Sequence, residues 1–134
     1  MAYKNKPRPG RSGRDPREKH VRIYGYEMQS EAYRSLSTDA RSLLLEFRYR
    51  FNGGENRIPF SVREMAERLG RAGQRRIKKA CDQLLDRGFI ELAQPGSFHR
   101  KTRHASEFYL LNEPIGDQEP RKDYMRWKKP RQSK

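Results

Sequence analysis

Between positions 74 and 83 the chain places Gln74, Arg75, Arg76, Lys78, Lys79 and Gln83, and between 99 and 103 it places His99-Arg100-Lys101-Thr102-Arg103. These side chains are equipped to recognise rather than to react. The planar fork of arginine pairs with two acceptors at once, as on guanine O6 and N7; the glutamine amide does the same for adenine, and lysine offers phosphate a point charge. A net charge of +14, from 31 Lys and Arg against 17 Asp and Glu, calls for a polyanionic partner. Nucleic acid is the leading candidate, and double-stranded DNA within it.

Groups able to carry out a reaction are scarce. Asp82 and Asp86 stand four apart on a Lys-rich helical segment, where carboxylates balance charge more often than they move protons. Glu64 has a local capping role, and Cys81 falls on an apolar stripe as a small hydrophobe. One cysteine and three histidines, His99 and His104 among them, show no zinc-type spacing. Neither a Walker-type glycine loop nor a nucleophile elbow is present. We therefore expect no enzyme activity, no metal, no cofactor and no small-molecule ligand.

The elements that must position the basic groups follow from periodicity. Ile77, Ala80, Cys81, Leu84 and Leu85 recur at helical spacing from about Gln74, so they form a buried stripe and push Arg75, Arg76, Lys78, Lys79 and Gln83 to the flanks and the far face. Before it, Ser61-Val62-Arg63-Glu64 fits a capping box opening a helix over 62–69, with Val62, Met65, Ala66 and Leu69 on one face. Gly70 and Gly73 bracket a short turn between the two helices. Phe89-Ile90-Glu91-Leu92 then starts a strand, Pro95-Gly96 suits the centre of a type II turn, and 105–111 returns with Phe108 and Leu110 inward. Upstream, Ser30 is a possible cap for a helix over 31–36. Ser37-Thr38-Asp39 opens a longer one with a stripe of Ala40, Leu43, Leu44, Phe47 and Phe51, ended by Asn52-Gly53-Gly54. Arg57-Ile58-Pro59-Phe60 reads as an edge strand.

Helix, turn, basic helix and hairpin in this order describe an α+β winged helix-turn-helix: a helical core with a C-terminal β-hairpin wing, flanked by basic tails. In that geometry the second helix enters a major groove with its N-terminal end on the bases, and the hairpin loop meets backbone or minor groove. Gln74, Arg75, Arg76 and Lys79 are then the expected base contacts, with Lys78 and Gln83 beside them. His99, Arg100, Lys101, Thr102 and Arg103 form the wing, and Ser61, Arg63 and Arg71 contact the phosphate backbone at the helix start and turn. The plainer alternative is a solvated basic face and an ordinary hairpin loop.

Residues 1–20, with seven basic and two acidic side chains among Pro7, Pro9 and Pro16, read as a disordered basic arm. Residues 21–112 are the DNA-binding domain. Residues 113–134 divide into an acidic, proline-bearing linker and a tail in which Tyr124, Met125 and Trp127 interrupt basic residues. That tail either packs back on the domain or meets a partner. Tyr24, Tyr26, Met28, Tyr124 and Trp127 are the expected partner contacts, serving self-association on DNA. The single cysteine fits a reducing compartment. No apolar run approaches the roughly 20 residues of a membrane span, and the N-terminus lacks the apolar region of a secretory signal. The expected location is the cytoplasm, on the nucleoid, with no membrane partner.

The run Leu36-Ser37-Thr38-Asp39-Ala40-Arg41, the stretch from Arg57 through Glu64, Asp86-Arg87-Gly88-Phe89-Ile90, Lys101-Thr102-Arg103-His104-Ala105 and Lys122-Asp123-Tyr124-Met125-Arg126-Trp127 together resemble a group of small winged-helix proteins of alphaproteobacterial chromosomes, prophages and mobile elements. The resemblance covers most of 21–127, and the domain also looks like those of plasmid replication initiators. It implies a winged-helix fold and DNA binding. The turn Gly70-Arg71-Ala72-Gly73 is longer than usual in that group, and the second helix lacks the usual Ser or Thr cap. The register of the base-reading side chains therefore stays open by about one position.

The function expected from the sequence is sequence-specific binding of double-stranded DNA by a transcriptional regulator of bacterial or mobile-element genes. A replication or mobile-element initiator factor is the alternative within DNA binding. An RNA-binding or protein-interaction winged-helix module is the alternative outside it.

Overall fold

The computed structural model describes residues 19–98 and 103–130. Two short helices, α1 (Gly25–Gln29) and α2 (Glu31–Arg34), lead into α3 (Thr38–Arg50). Strand β1 (Ile58–Pro59) precedes helices α4 (Val62–Arg68) and α5 (Gln74–Asp86). Strands β2 (Ile90–Gln94), β3 (Ser97–Phe98), β4 (Arg103–His104) and β5 (Glu107–Leu110) follow, and a 3-10 helix spans Asp123–Met125. Among the described residues the architecture is mixed α+β: five α-helices and a three-stranded antiparallel sheet of order β1-β5-β2, with β3 and β4 paired separately. Among the described residues no helix is long and apolar enough to cross a membrane.

Local chemistry sets the helix starts. Ser37 Oγ accepts the amide of Ala40 at 3.1 Å, and Ser61 Oγ accepts that of Glu64 at 3.1 Å while Glu64 Oε1 accepts the amide of Ser61 at 3.2 Å. Each cap satisfies amides that the first helical turn leaves without partners. From α3, Ala40, Leu43, Leu44 and Phe47 are buried, and the Phe47 ring meets Phe60 and Phe108 edge-on at 5.0 and 5.1 Å. Against them α5 buries Ile77, Ala80, Cys81 and Leu84, and β5 buries Phe108 and Leu110. Buried Asn56 joins β5 to the loop before β1: its amide nitrogen donates to Leu110 O, and Leu110 N donates to its oxygen, both at 2.8 Å.

Several expectations are corrected. The five-residue α1 has no counterpart in the sequence reading. At the end of α3, Phe51 is the cap in an extended conformation (ψ 124°), so the chain leaves the helix before Asn52, and Gly53 with φ 90° serves the loop beyond. Pro95-Gly96 is not a type II turn, because Gly96 is absent from the positive-φ glycines that such a turn requires. It instead links β2 to β3 in one hairpin arm. A Cβ at Gly96 would lie 2.8 Å from His104 O and 3.0 Å from Ser106 N on the returning arm.

Of the segment after residue 112, expected to be a linker and a tail that either packs back on the domain or meets a partner, Tyr124 packs back into the core and Trp127 lies partly buried against it. Tyr124 is fully buried, its ring stacked on Phe89 at 4.7 Å, and its amide donates to Gly88 O at 3.2 Å. Its hydroxyl donates to Glu27 Oε1 at 2.7 Å. The same carboxylate takes two bonds from Arg48, Nη1 to Oε2 at 2.8 Å and Nη2 to Oε1 at 2.9 Å, and one from the Tyr24 amide at 3.0 Å. Burial by itself raises the Glu27 carboxyl, but Arg48, Tyr124 and Tyr24 together hold it below its ordinary value. One buried cluster thus ties α1, α3 and the 3-10 helix together.

Candidate nucleic-acid interface

Helix α5 buries one stripe and turns Gln74, Arg75, Lys78 and Lys79 to solvent on its N-terminal half. The exposed carboxylates of the helix, Asp82 and Asp86, both belong to its C-terminal half. Positive charge therefore gathers at the end nearest the α4–α5 turn. Gly73 caps α5 without a side-chain hydrogen bond, which leaves the first amides of the helix without the serine-type partner that α3 and α4 have. The turn is tight. Gly70 (φ 69°) and Arg71 (φ 64°) both take left-handed backbone, and the Arg71 amide donates to Ala66 O at 2.7 Å. A non-glycine residue held there costs about 1–2 kcal/mol.

Ion pairing separates these cations from most of the described arginines elsewhere. Arg50, Arg57, Arg68, Arg121 and Arg126 are each bonded to a carboxylate at 3.0 Å or less. Arg71, Arg75, Lys78 and Lys79 form no ion pair among the described residues, so their charge is uncompensated at short range.

Three expected contact residues are engaged within the protein. Gln83 is half-buried, and its side-chain oxygen accepts the amide of Ser37 at 2.9 Å, so it braces the start of α3 rather than facing outward. Arg76 donates to both oxygens of Asp39, from Nε at 3.1 Å and from Nη2 at 2.9 Å. The guanidinium holds the Asp39 carboxyl below its ordinary value, and Asp39 raises that of Arg76. Ser61 Oγ is spent in the α4 cap, where it also donates to Glu64 Oε1 at 3.1 Å. Arg63 is exposed and faces Glu67 one turn on, at 3.8 Å.

The hairpin arms extend past the sheet through β3 and β4, pairing Ser97 with His104 and Phe98 with Arg103. Arg103 is placed by its backbone in β4, and His104 is exposed. His99, Arg100, Lys101 and Thr102 lie outside the described residues, as does the basic arm through residue 18.

The residues expected to contact a partner divide. Tyr24, Tyr26 and Met28 are exposed on and beside α1, with the two tyrosine rings stacked at 5.7 Å. Tyr124, in contrast, is a core residue, and Trp127 is partly buried against the core with the Arg87 guanidinium 4.9 Å from its ring. Sequence reasoning missed Glu27 and Arg48, and it read Asp39 only as part of the start of α3, not as the partner of Arg76. Asp39 and Arg76 do carry opposite charges, but 37 positions apart, and no local pattern links them.

Cys81 and Glu64, two of the groups with reactive potential, are engaged within the fold. Burial, with the nearby charge of Asp82, pushes the Cys81 thiol up to about 12, far from a nucleophilic thiolate. Glu64 is raised by burial, but the two bonds of Ser61 and the charge of Arg50 bring it below its ordinary value. Among the described residues, no three of His, Cys, Asp and Glu gather as a metal site would need. Comparison with protein-family models, with curated proteins and with solved structures gives no match.

Proposed function

We propose that this chain is a winged helix-turn-helix protein that binds double-stranded DNA sequence-specifically and acts as a transcriptional regulator. In this reading α4, the turn and α5 are the helix-turn-helix, and the N-terminal half of α5 enters the major groove. The arms β2–β3 and β4–β5 are the wing. The observation that carries the reading is the set of cations that have no acid partner among the described residues, Arg71, Arg75, Lys78 and Lys79, at the end of α5 where docking places the bases, while carboxylates pair with most of the described arginines elsewhere. At 13 residues, α5 is about 20 Å long, enough to lie along a groove. Likeness to the small winged-helix proteins supports the same conclusion. Tyr24, Tyr26 and Met28 are the face through which copies on adjacent half-sites would meet.

Selection of bound duplexes from a random pool tests the reading. A preferred site is expected, on which Arg75→Ala lowers affinity about 5- to 150-fold and on random duplex much less, since a lost base contact is worth roughly 1–3 kcal/mol of discrimination. Lys78→Ala and Lys79→Ala should each reduce the salt dependence of binding by about one phosphate contact. If the pool yields no preferred duplex, or if Arg75→Ala weakens every duplex alike, α5 does not read sequence.

A further inference from the structure

Among the described residues, Arg76 is the one cation of α5 that makes an ion pair, and the way it makes it leaves a defined edge unused. Nε and Nη2 donate to Oδ2 and Oδ1 of Asp39, so the pair occupies the long side of the guanidinium and sets its plane. The remaining edge carries parallel N–H groups on Nη1 and Nη2, and no acceptor among the described residues takes them. The side chain stays 64% exposed. Two parallel donors with a fixed plane match two acceptors lying side by side.

Asp39 is itself held. It lies in the first turn of α3, between the cap Ser37 and the fully buried Ala40, and the Ser37 amide is bonded to Gln83 of α5. Two contacts therefore fix the start of α3 against α5, and the carboxylate reaches Arg76 from a rigid base. We infer that Asp39 and Arg76 form a guanine-reading unit, in which Asp39 is the positioning residue and the free edge of Arg76 donates to O6 and N7 of one guanine in the major groove. The inference rests on the DNA-binding reading above. A phosphate also offers two oxygens, but it would bring an anion beside the Asp39 carboxylate. The guanine edge is neutral, so the pairing favours base over backbone. A pair serving only to tether α3 to α5 would contribute little at this exposure.

The test uses the full chain and the duplex selected by the wild type. Dissociation constants are measured for every single-base variant of that duplex with wild type, Arg76→Ala and Asp39→Asn, alongside thermal midpoints. One G·C position should emerge at which the wild type discriminates about 5- to 150-fold. Arg76→Ala should abolish that discrimination, and Asp39→Asn should reduce it at the same position while its affinity for random duplex holds or rises. Replacing that guanine by 7-deazaguanine, which removes the N7 acceptor, should weaken wild type and leave Arg76→Ala unaffected; this arm needs no Asp39 variant to fold. Uniform loss on all duplexes for Arg76→Ala would assign the side chain to phosphate and overturn the inference. So would an Asp39→Asn protein with a lowered midpoint but unchanged discrimination. Binding with a clear preferred site, no position of which responds to Arg76, overturns this inference alone, whereas absence of any duplex binding by wild type overturns the reading beneath it.

Discussion

Glu27→Gln isolates the buried cluster that joins the two ends of the fold. Glu27 and Arg48 have side-chain exposures of 1% and 5%, and the carboxylate accepts four bonds of 2.7–3.0 Å from Arg48, Tyr124 and Tyr24. Glutamine preserves the shape but leaves the Arg48 charge uncompensated and turns an NH2 toward existing donors. Losing one partner of a buried pair costs about 3–5 kcal/mol, most of it from the charge left behind. For a chain of this size that corresponds to a fall of roughly 10–20 °C in the thermal midpoint. Urea unfolding followed by tryptophan fluorescence measures it, since Trp127 packs beside the affected segment. Glu27→Gln/Arg48→Met should recover about 2–3 kcal/mol relative to the summed single losses, because the double variant buries no net charge. The sign with pH follows from the lowered carboxyl. Its contribution is complete above the ordinary value of 4.5 and is lost as pH falls through the lower folded value, so the gap between wild type and Glu27→Gln should narrow below 4.5. A single loss under about 1 kcal/mol, or strictly additive losses in the double variant, would refute the assignment of this pair as the determinant.

Three further outcomes are expected. Tyr124→Ala removes a ring stacked on Phe89 and should destabilise by about 3–5 kcal/mol in the same urea assay, which an unpacked tail would not do. Gly88→Ala should cost roughly 2–4 kcal/mol, because φ is 82° there and a Cβ would fall 2.7 Å from Asp123 Cβ and 2.9 Å from Tyr124 N; a variant as stable as wild type would disprove this docking of the 3-10 helix. Cys81 should react with a maleimide in the native protein far more slowly than in urea at pH 7.5, and equal rates would contradict its burial.

How much was legible in the chain depended on the range of the interaction. The starts of α3, α4 and α5, their buried stripes, the edge position of β1 and the inward Phe108 and Leu110 all follow from chemistry within a few positions: a hydroxyl three residues from an orphan amide, or apolar groups one turn apart. The basic character of the exposed face of α5 belongs to the same class. Local rules also misled. Pro95-Gly96 satisfies the composition of a type II turn, yet pairing with the returning arm holds that glycine in another conformation.

Composition, periodicity and short motifs determined the basic charge, the three main helices, the serine caps of α3 and α4, and the strands that close the sheet, because each rests on neighbours in sequence. Tertiary structure decided which polar groups are spent and which are free. Glu27 and Tyr124, 97 positions apart, are buried only because Arg48 and each other's polar atoms replace water for them, and Gln83 braces α3 and Arg76 pairs with Asp39 only because α3 starts beside them. A buried charge or a diverted amide needs a partner that folding alone supplies, and no periodicity records it.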